Sequence, residues 1–346
     1  MADQARSSAI FSPNGSWACR ADRFAGSDAC HWTRGTRPLK FRPSMGRKDP
    51  RRTDIAMKYV PKNLIAAGIL SIATATAPMI ATITAPAPAQ AADILPLVDA
   101  HLHYSHDAWD GLPPMDAVAV LRRAGLEKAF VSSSSDKGTQ MLYAVAPDLI
   151  VPVLRPYRKR GELGTWFKDP TVIELLESRL KKGGYAGIGE FHIFGEDADG
   201  EIFRKVVQLA KKYKVFLHAH SDVDAVERIF RQWPGATVLW AHSGFAEPDG
   251  IRPMLAKHTR LWSDLAFRSS HGSGGKADPE WAKLFAEFPD RFMIGTDTYT
   301  PERWYFVEEH ASWSRSWLNS LPRDLAERIA WKNATTLANW ALQIKD

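Results

Sequence analysis

Leu97-Val98-Asp99-Ala100-His101-Leu102-His103 is an apolar run that stops at two histidines. A parallel strand buried on both faces is written in apolar residues, and in a (β/α)8 barrel it delivers functional side chains where it reaches the C-terminal rim. Four more stretches repeat the pattern: Gly187-Ile188-Gly189-Glu190, Val215-Phe216-Leu217-His218, Val238-Leu239-Trp240-Ala241-His242 and Met293-Ile294-Gly295-Thr296-Asp297. Each ends on a residue type that binds metal ions. Five such stretches in chain order, separated by helical patterns, predict an α/β chain folded as a (β/α)8 TIM barrel with a metal centre on its rim.

The rest of the chain alternates accordingly. Strands are expected at 95–101, 128–134, 149–155, 185–191, 214–219, 236–242, 260–266 and 291–297. Helical patterns fall between them at 114–126, 171–182, 202–213, 223–233 and 279–288. The second of these runs into Gly183-Gly184, a helix-ending signature, and the last two follow an Asp. After Asp297 the pattern stays helical to the end, which predicts a last barrel helix plus a helical C-terminal extension. Residues 92–346 number 255, close to the ~250 of a typical barrel.

What precedes the barrel reads differently. Lys58 and Lys62, an apolar segment from Leu64, and the small-x-small site Ala89-Gln90-Ala91 form a secretory signal over 57–91. Pro78, Pro86 and Pro88 interrupt any run able to span a membrane as a helix. Residues 1–56 are rich in Arg, Ser, Gly and Pro without hydrophobic period. They read as disordered, or as the product of a start codon placed too early with Met57 the true start; Arg51-Arg52 is a poor match to a twin-arginine signal. The charge supports this division. The whole chain carries a formal +6, but residues 1–91 hold 13 of its 45 basic and 5 of its 39 acidic residues, so residues 92–346 hold 32 and 34, a net of −2. No basic face for nucleic acid is implied. Both cysteines, Cys19 and Cys30, lie in the leader, which excludes thiolate ligands and cysteine nucleophiles from the mature chain. The expectation is a periplasmic or secreted protein whose partner is a small molecule, with no stable membrane insertion after cleavage and homo-oligomerisation left open.

Each candidate residue has a plainer alternative. His101 and His103, two apart on a strand, share a face and can reach one ion; otherwise they are polar residues at a strand end. His218 ends its strand and reads as a ligand, with His220 as an outer or substrate contact. Glu190, behind Gly-Ile-Gly, is costly to bury unless it meets a metal or pairs with Arg155. His242 alone could be a hydrogen-bonded core histidine. Asp297 can bind metal, act as a base, or both. Asp99 and Asp264 read as caps and loop contacts. Arg155, His192, His220 and His271 are the candidate substrate-binding residues. Imidazoles and carboxylates without thiolates suit one or two divalent ions, Zn²⁺ or else Mn²⁺.

The order of a strand-1 HxH, a strand-4 Glu, strand-5 and strand-6 His and a strand-8 Asp resembles the amidohydrolase superfamily. Val98-Asp99-Ala100-His101-Leu102-His103, Ala241-His242-Ser243-Gly244, Gly295-Thr296-Asp297 and Lys332-Asn333-Ala334-Thr335 resemble its amidohydrolase-related branch, which includes aminocarboxymuconate semialdehyde decarboxylase-like enzymes. The resemblance implies a barrel holding one or two divalent ions, usually zinc, with Asp297 working on a metal-activated water. Glu190 stands where many two-metal members carry a carboxylated lysine, and there it is similar to the TatD-like metal-dependent deoxyribonucleases. Three functions follow as expectations. The first is hydrolysis of a C–N, ester or lactone bond. The second is metal-dependent decarboxylation of a small aromatic or unsaturated acid. The third is non-catalytic metal binding, against which Asp297 argues, since storage needs no base. Phosphodiester cleavage is disfavoured by the lack of basic excess.

Overall fold

The computed structural model describes residues 94–159 and 161–343, together with a short antiparallel pair, Ile10–Phe11 with Trp17–Ala18. The signal segment 57–91, and the rest of 1–56, lie outside the described residues. Eight parallel strands form one sheet in sequential order: β1 Leu97–Leu102, β2 Leu126–Val131, β3 Ile150–Leu154, β4 Gly187–His192, β5 Phe216–His220, β6 Val238–Trp240, β7 Leu261–Asp264 and β8 Phe292–Met293. The sheet closes on itself. Ala100 N donates to Ile294 O at 3.0 Å, Asp297 N to His101 O at 2.8 Å, and His103 N to Thr298 O at 3.0 Å. The eight expected strands are the eight observed.

Helices cover the outside: α1 Pro114–Arg123, α2 Asp136–Val145, α3 Thr171–Leu180, α4 Glu201–Tyr213, α5 Val223–Gln232, α6 Pro248–Lys257, α7 Pro279–Glu287 and α8 Val307–Leu318. The aspartates before α5 and α7 cap them. Asp222 accepts from Ala225 N, and Asp278 from Glu280 N and Trp281 N, each cap stabilising its helix by about 1 kcal/mol. The chain ends in the short helix α9 Arg323–Glu327, a wider turn Arg328–Lys332 and α10 Asn333–Leu342. Ala334, Leu337, Ala338 and Ala341 of α10 join Val98, Phe130, Val151, Phe216, Leu239 and Met293 in one buried cluster. The C-terminal helix thus packs on the apolar barrel interior, and the polar residues gather elsewhere along the same strands. Among the described residues no helix is long and apolar enough to cross a membrane.

Several strands are shorter than their sequence pattern, among them the expected 128–134, which ends at Val131, and 260–266, which ends at Asp264. The expected 236–242 leaves the ladder after Trp240, and 291–297 after Met293. After Trp240 the backbone at the rim turns: His242, Ser243 and Gly244 have φ of 57°, 53° and 61°. Residues in the left-handed region cannot continue a ladder.

Candidate metal centre

β1 does not alternate simply. Its ladder with β2 shifts register between Asp99 and Leu102, and His101 and His103 still bring their Nε2 atoms to 3.1 Å of each other. Close approach of the neighbouring strands is purchased by glycine. A Cβ on Gly189 would lie 2.2 Å from His218 O, and one on Gly295 would lie 2.9 Å from His101 Cβ.

Two carboxylates approach the paired histidines. From His101 Nε2, Glu190 Oε2 is 3.5 Å and Asp297 Oδ1 3.7 Å away; from His103 Nε2 they are 3.3 and 3.2 Å. Tetrahedral ligands about a zinc-sized ion, with bonds of about 2.0–2.2 Å, stand roughly 3.3–3.6 Å apart. The other oxygen of Glu190 faces a second group: Oε1 lies 2.8 Å from His220 Nδ1 and 3.4 Å from His242 Nε2, which are 3.2 Å from each other. Glu190 therefore joins two donor sets.

The tautomers fit this assignment. His101 Nδ1 faces Asp264 Oδ2 at 3.2 Å, His103 Nδ1 faces the Ser132 carbonyl, and His242 Nδ1 faces Ala266 O at 2.9 Å. A proton on each Nδ1 leaves each Nε2 as a lone pair towards the centre. The donor set thus suits a divalent cation. The charge balance points the same way. Burial raises the carboxyls of Glu190, Asp264 and Asp297, yet the neighbouring His101, with Arg155 beside Glu190 and His242 beside the two aspartates, holds all three well below the usual range. Burial lowers His101, but Asp264 and Glu190 lift it well above the ordinary imidazole value. All three carboxylates are thus kept ionised, the state in which a carboxylate can bind a divalent cation.

The structure divides the sequence candidates. His101, His103, Glu190, His242 and Asp297 converge. His218 and His220 do so differently from expectation. His220 stands with Glu190 and His242, whereas His218 Nε2 bonds Asp264 Oδ2 at 3.0 Å, against the flank of His101. Burial lowers the His218 imidazole to about 4, so it stays neutral. With His101 and Asp264 it forms a third group of closely spaced donors. His192 stacks on His220 at 4.0 Å, and its Nδ1 meets Tyr157 Oη at 2.8 Å. Arg155 differs from its expected role. Its Nη2 donates to Glu190 Oε2 at 2.6 Å and its Nε to Glu190 O at 3.0 Å; the ion-pair alternative describes it. His271 also differs: it is buried in an aromatic pocket among Trp281, Trp313 and Trp317, rings 4.8–6.1 Å away.

Sequence reasoning undervalued Asp264 and Asp99. Asp264 Oδ2 holds both His101 and His218, while Oδ1 accepts from His242 N at 2.9 Å and Ala266 N at 3.1 Å. Asp99 accepts from Thr296 N, Thr296 Oγ1 and His101 N, tying β1 to the segment after β8; burial lifts its carboxyl to about 6. The signal for Asp264 was present, since Leu261-Trp262-Ser263-Asp264 has the strand-end pattern of the other candidates. Arg303, which it did not connect with the site, donates from Nε to Asp297 O at 2.7 Å, and Arg268, which the loops after the strands offer to the rim, donates from Nη1 to His242 O at 3.1 Å.

A family model described as amidohydrolase matches residues 98–337. Among solved structures, an uncharacterised TIM-barrel protein from Bordetella bronchiseptica is 13% identical with a TM-score of 0.52, over 71% of this chain and 99% of that one. An amidohydrolase from Bifidobacterium longum subsp. infantis is 14% identical with a TM-score of 0.41, over 71% and 99%. One from Burkholderia multivorans is 11% identical with a TM-score of 0.43, over 70% and 98%. The first likeness supports the barrel fold. No curated protein matches the chain.

Proposed function

The chain belongs to the amidohydrolase family, and from that premise we propose that it is a metal-dependent hydrolase of a small-molecule ester, lactone or C–N bond. The observation that carries the reading is the meeting of His101, His103, Glu190 and Asp297: the two histidine Nε2 atoms lie 3.1 Å apart and 3.2–3.7 Å from the Glu190 and Asp297 oxygens. His220 and His242 form a second set on the far oxygen of Glu190, which favours two ions over one. Zn²⁺ fits these donors best, with Mn²⁺ as the alternative. When bound, the ion supplies a Lewis acid that makes water nucleophilic near neutral pH and polarises the carbonyl under attack.

The protein's own groups do the rest. Asp297, held ionised by its histidine neighbours, takes the proton of the attacking water and returns it to the leaving group. Asp264 fixes the orientation of His101 and the main chain of His242 together. Arg155 neutralises Glu190 and keeps its carboxylate aimed at the donors. That use of Arg155 removes the cation that the sequence offered to a carboxylate-bearing substrate, so hydrolysis is preferred to decarboxylation. The protein acts on a small molecule, outside the cytoplasm, with no nucleic-acid or membrane partner. The purified protein is loaded with Zn²⁺ or Mn²⁺ and offered lactones, esters, amides and aromatic carboxylates. Water-dependent turnover of one of the first three supports the reading; CO₂ release as the sole reaction overturns it.

A further inference from the structure

The mouth of the centre is walled by rings. Phe194, after β4, lies 6.0 Å from His220; His220 lies 5.7 Å from Phe245, after β6; Phe245 lies 6.4 Å from Phe267, after β7; and Phe267 lies 6.1 Å from Tyr299, after β8. Phe245 also stacks on His242 at 4.7 Å and 20°. Five consecutive strand ends thus contribute to one continuous arc, and the arc touches His220 and His242 of the second donor set. Its rings are not core residues. Phe194 is 48% exposed and Phe245 50%, while Phe267 and Tyr299 are partly buried. Aromatic area left facing water beside a reaction centre is a cost to the free protein, and a ligand that covers it recovers that cost.

The cations nearby are committed elsewhere. Arg155 is bound to Glu190 and lies over Tyr157. Arg268 donates to His242 O, Glu247 Oε1 and Ser270 Oγ. Arg303 donates to Asp297 O and Thr296 O and lies against the rings of Phe267 and Tyr299.

We infer that this arc is the substrate platform, and that the part of the substrate away from the scissile bond is a planar, uncharged ring. The inference rests on the hydrolase reading of the same centre and narrows its substrate class. A stacked ring gains about 0.5–1.5 kcal/mol beyond its burial, or about two- to twelvefold in affinity. A carboxylate would find no uncommitted guanidinium among these three.

The test is binding, separate from turnover. Metal-loaded protein is titrated by calorimetry with 1-indanone, a planar ring without a hydrolysable bond, with cyclopentanone, which keeps the carbonyl and loses the aromatic ring, and with benzoate. Indanone is expected to bind at least about tenfold more tightly than either. Phe194→Ala, which alters no donor residue, and Phe245→Ala should each weaken indanone by about two- to tenfold with metal content retained. Equal affinity for the two ketones, tighter binding of benzoate, or unchanged indanone affinity in both variants overturns the platform. Lactone turnover by the same preparation is scored separately. Ring binding without hydrolysis sinks the reaction assignment and leaves the platform standing; hydrolysis without ring preference does the reverse.

Discussion

Asp297 has both a demanding backbone and a demanding charge. Its φ of 47° is unusual for a residue with a side chain, and Arg303 holds its carbonyl at 2.7 Å. Glu190 and His242 are held in the same manner, their carbonyls bound by Arg155 and Arg268. Three candidate ligands are thus fixed through the main chain, and Arg155 also reaches the Glu190 carboxylate. Asp297→Asn keeps this framework and removes the base. Turnover should fall by roughly 10²-fold or more, with a smaller loss of metal; unchanged turnover, measured at saturating substrate, removes Asp297 from the proton transfer. Glu190→Gln tests the bridge. With two ions, elemental analysis should show the metal-to-protein ratio falling by about one, because the second donor set loses its anion. An unchanged ratio decides for a single-ion centre. At this scale the sequence was legible where a ligand ends an apolar run, as at His101, Glu190, His242 and Asp297. Between His218 and His220 no local pattern says which donor set each joins: His218 stands with His101 and Asp264, and His220 with Glu190. Which of two histidines reaches the centre depends on the seat that Asp264 offers from β7, a long-range contact that no local pattern encodes.

Elements were legible in proportion to their burial pattern. Strands buried on both faces announce themselves, and so do α3, α4, α5 and α7, with their apolar stripes and end signals. The reading placed no helix at α2 or α6. Asp136-Lys137-Gly138-Thr139 opens α2 with polar residues and a glycine, and α6 carries Pro253; their packing, not their propensity, makes them helical. α8 was read as a barrel helix, but its buried histidine has a consequence of its own. Burial pushes His310 down to about 3, with Arg303 adding in the same direction, and His271, facing α8, is lowered as well. A histidine that stays neutral when folded and titrates near 6.5 when unfolded binds its proton preferentially in the unfolded chain between those values. Its contribution to stability is therefore complete above about pH 6.5 and is lost as the pH falls towards 3, at up to about 1.4 kcal/mol per pH unit. His310→Gln should flatten the acid limb of the stability curve. Urea midpoints at pH 7.5 and 5.5 check this: the wild type should lose more between them than the variant, and equal losses would contradict a neutral buried His310.

At the scale of the whole chain, composition changes before the barrel, as an exported protein with a cleaved leader would require. The leader carries the basic excess and both cysteines, while residues 92–346 are near neutral at −2. From the barrel side, β1 begins at Leu97 and the family match at residue 98. Leu95 is already buried, and Arg315 of α8 donates from Nε to its carbonyl at 2.8 Å. Every described interaction of the barrel that is named here therefore lies C-terminal to Ala91, the predicted cleavage point. The closing strand pair and the donor sets lie within residues 97–298. We expect the exported protein to begin at Ala92 on N-terminal sequencing, and the chain 92–346 to match the full chain in melting temperature and in metal content. Recovery of an intact Met1 terminus from cytosol, or a chain starting at Ala92 that fails to bind metal, would show that the leader belongs to the working protein.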